Sequence, residues 1–503
     1  MLRKTKLCRR MVYFGENMAT EAEPETQTVV NQEALPVESW INQAEGGQDM
    51  LTMILSFLQV PGHVLLVQGA PGTGKTTLAL EILRRLVERH KVYASSRTSP
   101  TKLRQHFPWL DEVMDTMSGR VARAEWVAEF QDLRGPEADN VFNKVLRLKH
   151  SGQKSVMVID SWEGAIRNAT DEGRGMLESA ILSELEESKM SVVLITEGGK
   201  TGDLGHLVDG IITLSSGEME GRISRSFTVN KLRGFRVPLN KGLYSLENGR
   251  FSLLPPAAPH NGTIESPKLP PPIPHPSGMF STGSVDLDAL LGGGVRRGSF
   301  VLIDLDSSTS PSTVQMFLNI MKANWVNQGG SCFILPLASV SADSAGEMLR
   351  PYIGNEALDE RVRIVDFNLD STPKKWKVSL KGKLSTDMVS FMAGWKTLDD
   401  ISSPKMLMID YDKVQQIYGE DLSLPGFTEI SANMRDYGAL NIGLAFRHTK
   451  IRDDFLRIAD YHLKIRSGEG SFLVFGVKPF TPICGVKFDI GKGYPALKLV
   501  PMV

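Results

Sequence analysis

At 503 residues the chain is longer than one ordinary hydrophobic core supports, so two domains of roughly 200 residues each are expected. Its 41% hydrophobic and 23% charged residues suit a soluble globular protein, and a formal net charge of −1 excludes any global pull toward nucleic acid or an anionic membrane. Cys8, Cys332 and Cys484 are too few and too far apart for a disulfide framework or a metal site, and no run approaches the ~20 apolar residues that cross a bilayer, so a cytoplasmic location is expected.

In chain order, residues 1–35 read as a poorly ordered leader. Its basic start lacks the apolar stretch of a secretory signal, and Met11 or Met18 is a candidate true start. Residues 36–252 alternate short apolar strands with amphipathic helices. The strands are HVLLVQG (from residue 63), KVYASS (91), SVMVID (155), SVVLITE (191) and GIITL (210), and the helical patterns include residues 76–88 and 175–187. Such unbroken apolar strands are those of a parallel sheet buried on both faces. After Gly221 the pattern becomes hairpin-like: SRSFTVNKLRG, then LYSLENGRFSLL.

Residues 253–278 are proline-rich and read as a semi-rigid spacer. Residues 279–503 repeat the first plan, with strands SFVLIDL (299), SCFILPL (331), VRIVDF (362), KMLMIDYD (405) and LNIGLAF (440) and a β-like close, GSFLVFGVKPFTPICGVKFD. A repeat period of about 230 residues indicates a duplicated domain rather than a solenoid.

The chemistry sits in Gly69-Ala70-Pro71-Gly72-Thr73-Gly74-Lys75-Thr76, which fits G-x-x-x-x-G-K-[ST] between an apolar strand and a helix. Glycines let successive N–H groups turn inward onto phosphate oxygens, and the helix N-terminus adds partial positive charge. Lys75 reaches the β- and γ-phosphates, Thr76 offers a hydroxyl to Mg²⁺, and Thr77 completes the nucleotide-binding run. Asp160, closing the strand SVMVID, is placed to hold the metal's shell. ATP with Mg²⁺ is the expected ligand.

The phosphate loop, the aspartate strand and the hairpin Phe227-Thr-Val-Asn-Lys231-Leu-Arg233-Gly234 resemble the KaiC/GvpD-like branch of the RecA superfamily. The resemblance implies an α/β fold of two tandem RecA-like domains, each a mostly parallel sheet flanked by helices. It also implies a homo-oligomer, ring or dimer, in which Lys231 and Arg233 reach the γ-phosphate held by a neighbouring subunit. Such a finger is worth about 10³–10⁵ in rate; the alternative is a solvated basic hairpin with Arg222, Arg225 and Arg236. The stretch from Ser96 to Leu110 also looks like archaeal members of the group. KaiC-like ATPases carry paired glutamates after the second strand. Here that place reads Ala94-Ser-Ser-Arg97-Thr-Ser, leaving Glu163 and Glu197 as candidate substitutes and making slow turnover the expectation.

The segment from Ser281 to Ser299 resembles the family's lead-in, T-G-x-x-x-L-D-x-L-L-G-G-G-x-x-R-G-S, but no phosphate loop follows. An ungapped pairing of VLLVQGAPGTGKT with VLIDLDSSTSPST sets Asp306 against Gly69, Pro311 against Gly74 and Ser312 against Lys75. It leaves Thr313 and Asp410 at the hydroxyl and aspartate positions, with Asp304 and Asp306 set to repel phosphate. This half reads as a scaffold or partner-binding domain; residual nucleotide binding is the alternative.

Arg84, Arg85, Arg89, His90 and Lys91 close the helix after the phosphate loop and read as a solvated face. The run from Arg447 to Arg452 is a short candidate patch for nucleic acid or a partner, and Phe107 and Trp109 are core or interface aromatics, with adenine stacking the alternative. The leading function is a regulatory ATP-binding protein, a slow ATPase whose nucleotide state controls assembly or contact with a protein partner. The resemblance implies signalling or transcription-linked control, as GvpD-type proteins provide for gas-vesicle genes. A DNA recombination or repair ATPase would need basic DNA-binding loops and a helix-hairpin-helix region, which are not found; an autokinase would need the glutamates that are missing.

Overall fold

The computed structural model describes residues 50–86, 90–112, 128–132, 154–167, 189–197, 204–257, 264, 266–368, 372–398, 404–419, 432–446, 449 and 452–503, with backbone alone at 111–112 and 128–132. The expected leader, Cys8, Arg89, the helical pattern at 175–187 and most of the basic run around residue 448 lie outside these residues. Residues 49–503 form one compact unit containing two large sheets.

Strands β1 (Val64–Gly69), β2 (His90–Ser95), β3 (Ala128–Asp132), β4 (Ser155–Asp160), β5 (Met190–Thr196), β6 (Gly210–Met219), β7 (Arg222–Leu232), β8 (Lys241–Ser245) and β9 (Ser252–Leu253) make the first sheet. Among the described residues the order is β3-β2-β4-β5-β1-β6-β7-β8-β9, parallel through β6 and antiparallel beyond. Helices α1 (Met50–Gln59) and α2 (Lys75–Arg85) cover one face, where Leu51, Phe57, Leu78 and Ile82 pack on Leu65 and Val67. Leu66, Val192 and Leu194 look the other way into a second core. Burial on both faces accounts for the unbroken apolar strands.

A two-stranded ribbon, β10 (Met279–Phe280) with β11 (Val295–Arg296), leads into the second large sheet. Its strands are β12 (Phe300–Leu305), β13 (Ser331–Leu335), β14 (Val362–Asp366), β15 (Lys377–Ser379), β16 (Lys405–Asp410), β17 (Leu440–Phe446), β18 (Tyr461–Gly468), β19 (Ser471–Lys478), β20 (Cys484–Asp489) and β21 (Ala496–Pro501). The order β15-β14-β13-β16-β17-β12-β18-β19-β20-β21 repeats the first sheet strand for strand, with β15 added at one edge. Helix α3 (Pro311–Asn327) stands where α2 stands. The protein is thus two tandem RecA-like sheets with antiparallel ends.

Within the proline-rich segment expected to be a spacer, residues 270–275 lie along α3. Asn324 Oδ1 accepts from Ile273 N–H at 2.7 Å, Gln328 Oε1 from His275 N–H at 2.9 Å, and Asn327 Nδ2 donates to the Pro270 carbonyl at 3.3 Å. Prolines leave few donors to satisfy, and the helix's amide side chains serve those that remain. A further cluster joins the halves: Leu243 and Leu254 pack with Leu473, Phe475, Ile483 and Met502. Beside it Arg222 is buried, donating to the carbonyls of Thr481 at 2.6 Å and Gly476 at 2.5 Å with its guanidinium over Phe480. Arg222 is therefore an inter-half wedge and not part of a solvated basic face.

Candidate functional site

Strand β1 ends at Gly69, the chain turns, and α2 starts at Lys75 with Gly74 as its N-cap at φ 85°. Two glycines are forced by close approach as well as by backbone angle. A Cβ on Gly69 would lie 2.4 Å from the Leu214 carbonyl oxygen, and one on Gly74 2.7 Å from Leu246 Cδ2. No side chain caps α2, so its first N–H groups remain available at the loop. Lys75 is 8% exposed and folds back onto its own loop, Nζ donating to the carbonyls of Gly69 at 2.7 Å and Ala70 at 2.9 Å. Burial pulls its pKa below the usual lysine value, against the opposing influence of Glu197 and Asp160.

The next residue, Thr76, donates its hydroxyl to Asp160 Oδ2 at 2.7 Å. Asp160 stands at the end of β4, opposite Ser95 of β2 and Ile195 of β5. Tyr93 of β2, absent from the sequence-based site, donates to the same carboxylate oxygen at 2.5 Å, and burial followed by the nearby Asp160 charge pushes its phenol well above its usual pKa. Lys75, Thr76, Arg97, Asp160, Glu197 and Leu246 line one cleft of about 360 Å³. Across it Arg97 makes a two-point ion pair with Glu197, whose backbone N–H donates to Glu163 at 3.0 Å. Of the two candidate substitutes for the missing glutamates, Glu197 lines the cleft and is held by the arginine that stands in their place, while Glu163 bonds the Glu197 backbone.

Lys231 and Arg233 are elsewhere. Lys231 Nζ donates to the Val208 carbonyl at 2.6 Å and Arg233 Nη1 to Asp209 Oδ1 at 2.9 Å. Asp209 in turn bonds Val64 at the beginning of β1, the far end of that strand from the loop. At ~3.3 Å per residue, the six residues of β1 keep the pair roughly 15–20 Å from their own chain's phosphate loop.

The family model described as "ATPase: KaiC" matches residues 58–257, which contain this whole cleft. The chain is 24% identical to protein GvpD2 of Halobacterium salinarum over 492 residues, covering 89% of this chain and 95% of that one. It is 22% identical to protein GvpD1 of the same organism over 518 residues with the same coverage. Over residues 58–257 it is similar to the KaiC-type ATPases and over most of its length to the GvpD proteins, a likeness to the KaiC/GvpD-like branch of the RecA superfamily. Among solved structures, a KaiC-like protein of Pyrococcus horikoshii OT3 is similar at 22% identity over 39% of this chain and 90% of that one, with a TM-score of 0.32. A match to a KaiC-type ATPase model implies nucleotide binding.

The second half of this KaiC/GvpD-like chain corrects the ungapped pairing by one residue. Asp209 N–H donates to Val64 O while its carboxylate accepts from Val64 N–H, and Asp460 repeats both bonds with Phe300. Thr73 Oγ1 donates to the Ala70 carbonyl, and Thr309 Oγ1 to that of Asp306. Val64 therefore matches Phe300, and Gly69, Gly74, Lys75, Thr76 and Thr77 match Leu305, Ser310, Pro311, Ser312 and Thr313. Proline occupies the lysine position, and Ser312, not Thr313, is the hydroxyl counterpart. The fold also gives the physical reason: sliding a strand by one turns its apolar set to the wrong face, and Val301 and Ile303 pack with α3 as Leu65 and Val67 pack with α2.

Asp410 does match Asp160, since Val67 and Asp160 flank Ile195 as Ile303 and Asp410 flank Leu444. Its bonds differ. Its carboxylate accepts from the backbone N–H groups of Ala338 at 2.7 Å and Asp412 at 3.1 Å, and burial raises its pKa to about 6. Ser312 Oγ pairs with Ser310 Oγ at 2.8 Å. Ile334 takes the register position of Tyr93, opposite Met408 as Tyr93 is opposite Val158. Nor are the two acidic residues bare. Arg452 bonds Asp304 at 2.5 Å, and although burial pushes the Asp304 pKa up, bonds from His462 and Arg452 outweigh it and hold it below the usual value.

Trp109 is the packed aromatic expected: it is 8% exposed, its indole N–H donating to the Gly249 carbonyl at 3.0 Å and one face covered by Arg250. Other expectations are revised. Arg84 and Arg85 both grip the buried Glu81. Of the basic run near residue 450, the described Thr449 and Arg452 bond Asp412 and Asp304. Arg225, Tyr244 and Leu246 touch the phosphate loop and were missed, because nothing local in a β-hairpin's sequence tells which residue another segment will meet.

Proposed function

We propose that the first half binds one ATP with Mg²⁺ at residues 69–77, hydrolyses it slowly, and uses the bound state to control self-assembly or contact with a protein partner. The observation that carries the reading is the meeting of the Thr76 hydroxyl and the Asp160 carboxylate at 2.7 Å beside Lys75, in one cleft. Lys75 would exchange its two loop carbonyls for the β- and γ-phosphate oxygens, and the N–H groups from Gly72 to Thr77 would take the remaining phosphate charge. A hydroxyl and a carboxylate are hard oxygen donors that suit Mg²⁺. Among the described residues no group of three or more His, Cys, Asp or Glu could hold a metal, so the ion would arrive with its nucleotide. It would neutralise charge developing between the β- and γ-phosphates.

Slow turnover follows from the Arg97–Glu197 pair, which ties up the carboxylate best placed to orient a water. Lys231 and Arg233, too far from their own cleft, would serve a neighbouring chain's, so the reading includes a homo-oligomer. Titration calorimetry with ATP and magnesium tests the proposal: one site per chain is expected, and no heat from folded protein would overturn it. Arg233→Ala should then lower turnover without changing affinity; equal turnover would remove the finger.

A further inference from the structure

The phosphate loop is gripped from behind by the second half. Arg225 of β7 donates through Nη1 to the Gly72 carbonyl at 3.1 Å and through Nε to the Val503 carbonyl at 2.7 Å, while its backbone N–H points at Met502 Sδ at 3.1 Å. One guanidinium thus spans the loop and the residues that follow β21. A planar fork of fixed donors is suited to bridge two carbonyls in this way.

A second route runs through three consecutive residues. Tyr244 donates its hydroxyl to the Thr73 carbonyl at 2.5 Å, Ser245 donates to the Pro501 carbonyl at 2.5 Å, and Leu246 closes against Gly74. Side chains alternate along a strand, so 244, 245 and 246 touch loop, β21 and loop in turn. Tyr244 and Ser245 are both fully buried, and Met502 is 2% exposed in the apolar cluster between the halves. These contacts therefore sit in packed surroundings where displacement of one member is felt by the next.

The peptide plane converts the grip into an effect on the cleft. Across a trans peptide the C=O and the following N–H point in opposite directions. Tyr244 holding the Thr73 carbonyl outward aims the Gly74 N–H away from it, and Arg225 likewise fixes the peptide between Gly72 and Thr73. The Gly74 N–H is among the groups that would line an anion nest, while the Thr73 N–H points at the Ala70 carbonyl at 3.4 Å.

We propose that β21 and the residues after it set the conformation of the phosphate loop, through Arg225 and the run Tyr244-Ser245-Leu246, so that nucleotide occupancy and the docking of residues 496–502 are coupled. The inference rests on the nucleotide reading above and assigns the second half a role at that site: an internal regulator. Coupling is reciprocal. Whatever displaces β21, such as a partner binding the second half, changes nucleotide affinity, and nucleotide changes the exposure of β21 by the same factor.

Hydrogen exchange of the full chain, with and without magnesium and a non-hydrolysable ATP analogue, tests this. Protection of residues 70–77 and, in the same sample, altered exchange at 496–502 is expected. Arg225→Ala should weaken the analogue by about fivefold, the low end of ordinary coupling factors, and shrink the response at 496–502 while 70–77 still becomes protected. Arg225→Lys, which keeps the charge but spans one carbonyl at a time, should fall between. Should Arg225→Ala fail to fold, Ser245→Ala removes the second link without touching the loop and should shrink the response. Protection at 70–77 with 496–502 unmoved in the parent chain overturns the coupling and leaves the site standing. No protection in either segment overturns the nucleotide reading, and the coupling with it.

Discussion

Two loops occupy the same place in two copies of one fold, and they differ less in backbone than in what their side chains meet. Both follow a buried strand, both carry a threonine that closes the turn three residues back, and both open a helix. In the first, a lysine, a hydroxyl and a carboxylate converge. In the second, proline replaces the lysine, serine bonds serine, and the aspartate turns to backbone N–H groups. The lesson is that a RecA-like sheet persists without its ligand chemistry as long as the strand ends find internal partners for their polar groups.

That contrast can be broken most directly at Lys75. Hydrogen bonds to charged groups are worth roughly 1.5–3 kcal/mol each, so Lys75→Ala, losing two, should cost about a hundred- to ten-thousandfold in ATP affinity by calorimetry with the fold unchanged by circular dichroism. Comparable affinity would reduce the loop to a turn.

Asp410 sharpens the comparison from the other side. Its pKa is about 6 in the folded chain against an ordinary 3.8, so the folded state binds the proton more tightly than the unfolded one. Its contribution favours folding fully below about pH 4, is lost as pH rises through 6, and amounts to up to about 3 kcal/mol. Asp410→Asn should flatten that part of the pH dependence. Denaturant midpoints at pH 4 and pH 7 in both chains measure it, and parallel profiles would contradict the buried-aspartate assignment.

The smallest effect separates the paired hydroxyls. Thr76→Ala should weaken magnesium-dependent ATP binding by about tenfold, the worth of one or two ordinary hydrogen bonds, whereas Ser312→Ala should leave it unchanged. A loss in the serine variant would mean that the second loop carries nucleotide after all.

Much of this was legible in advance. The glycine-lysine spacing marks the loop because its geometry is local, and the apolar runs mark the central strands because burial on both faces leaves little choice of residue. The short edge strands β3 and β15 were not foreseen, since an edge buries too little to demand a distinctive pattern. The pairing of the two loops slipped by one because VLLV and VLID look alike when written side by side. The matching bonds of Asp209 and Asp460, made across strands far apart in sequence, fix the frame. Tyr93 was unreadable for the same reason: an aromatic on a buried strand looks like core until the carboxylate opposite it is known.

Arg222 carries one more consequence. Its guanidinium sits between the halves with every visible bond but one running to carbonyls of β19 and the turn after it or to the rings of Phe475 and Phe480. Cutting the gene between the two halves would leave a naked cation and a greasy scar on the first-half fragment, so that piece should precipitate unless the other is co-produced. The second half would then be retained as a lifelong chaperone for the first.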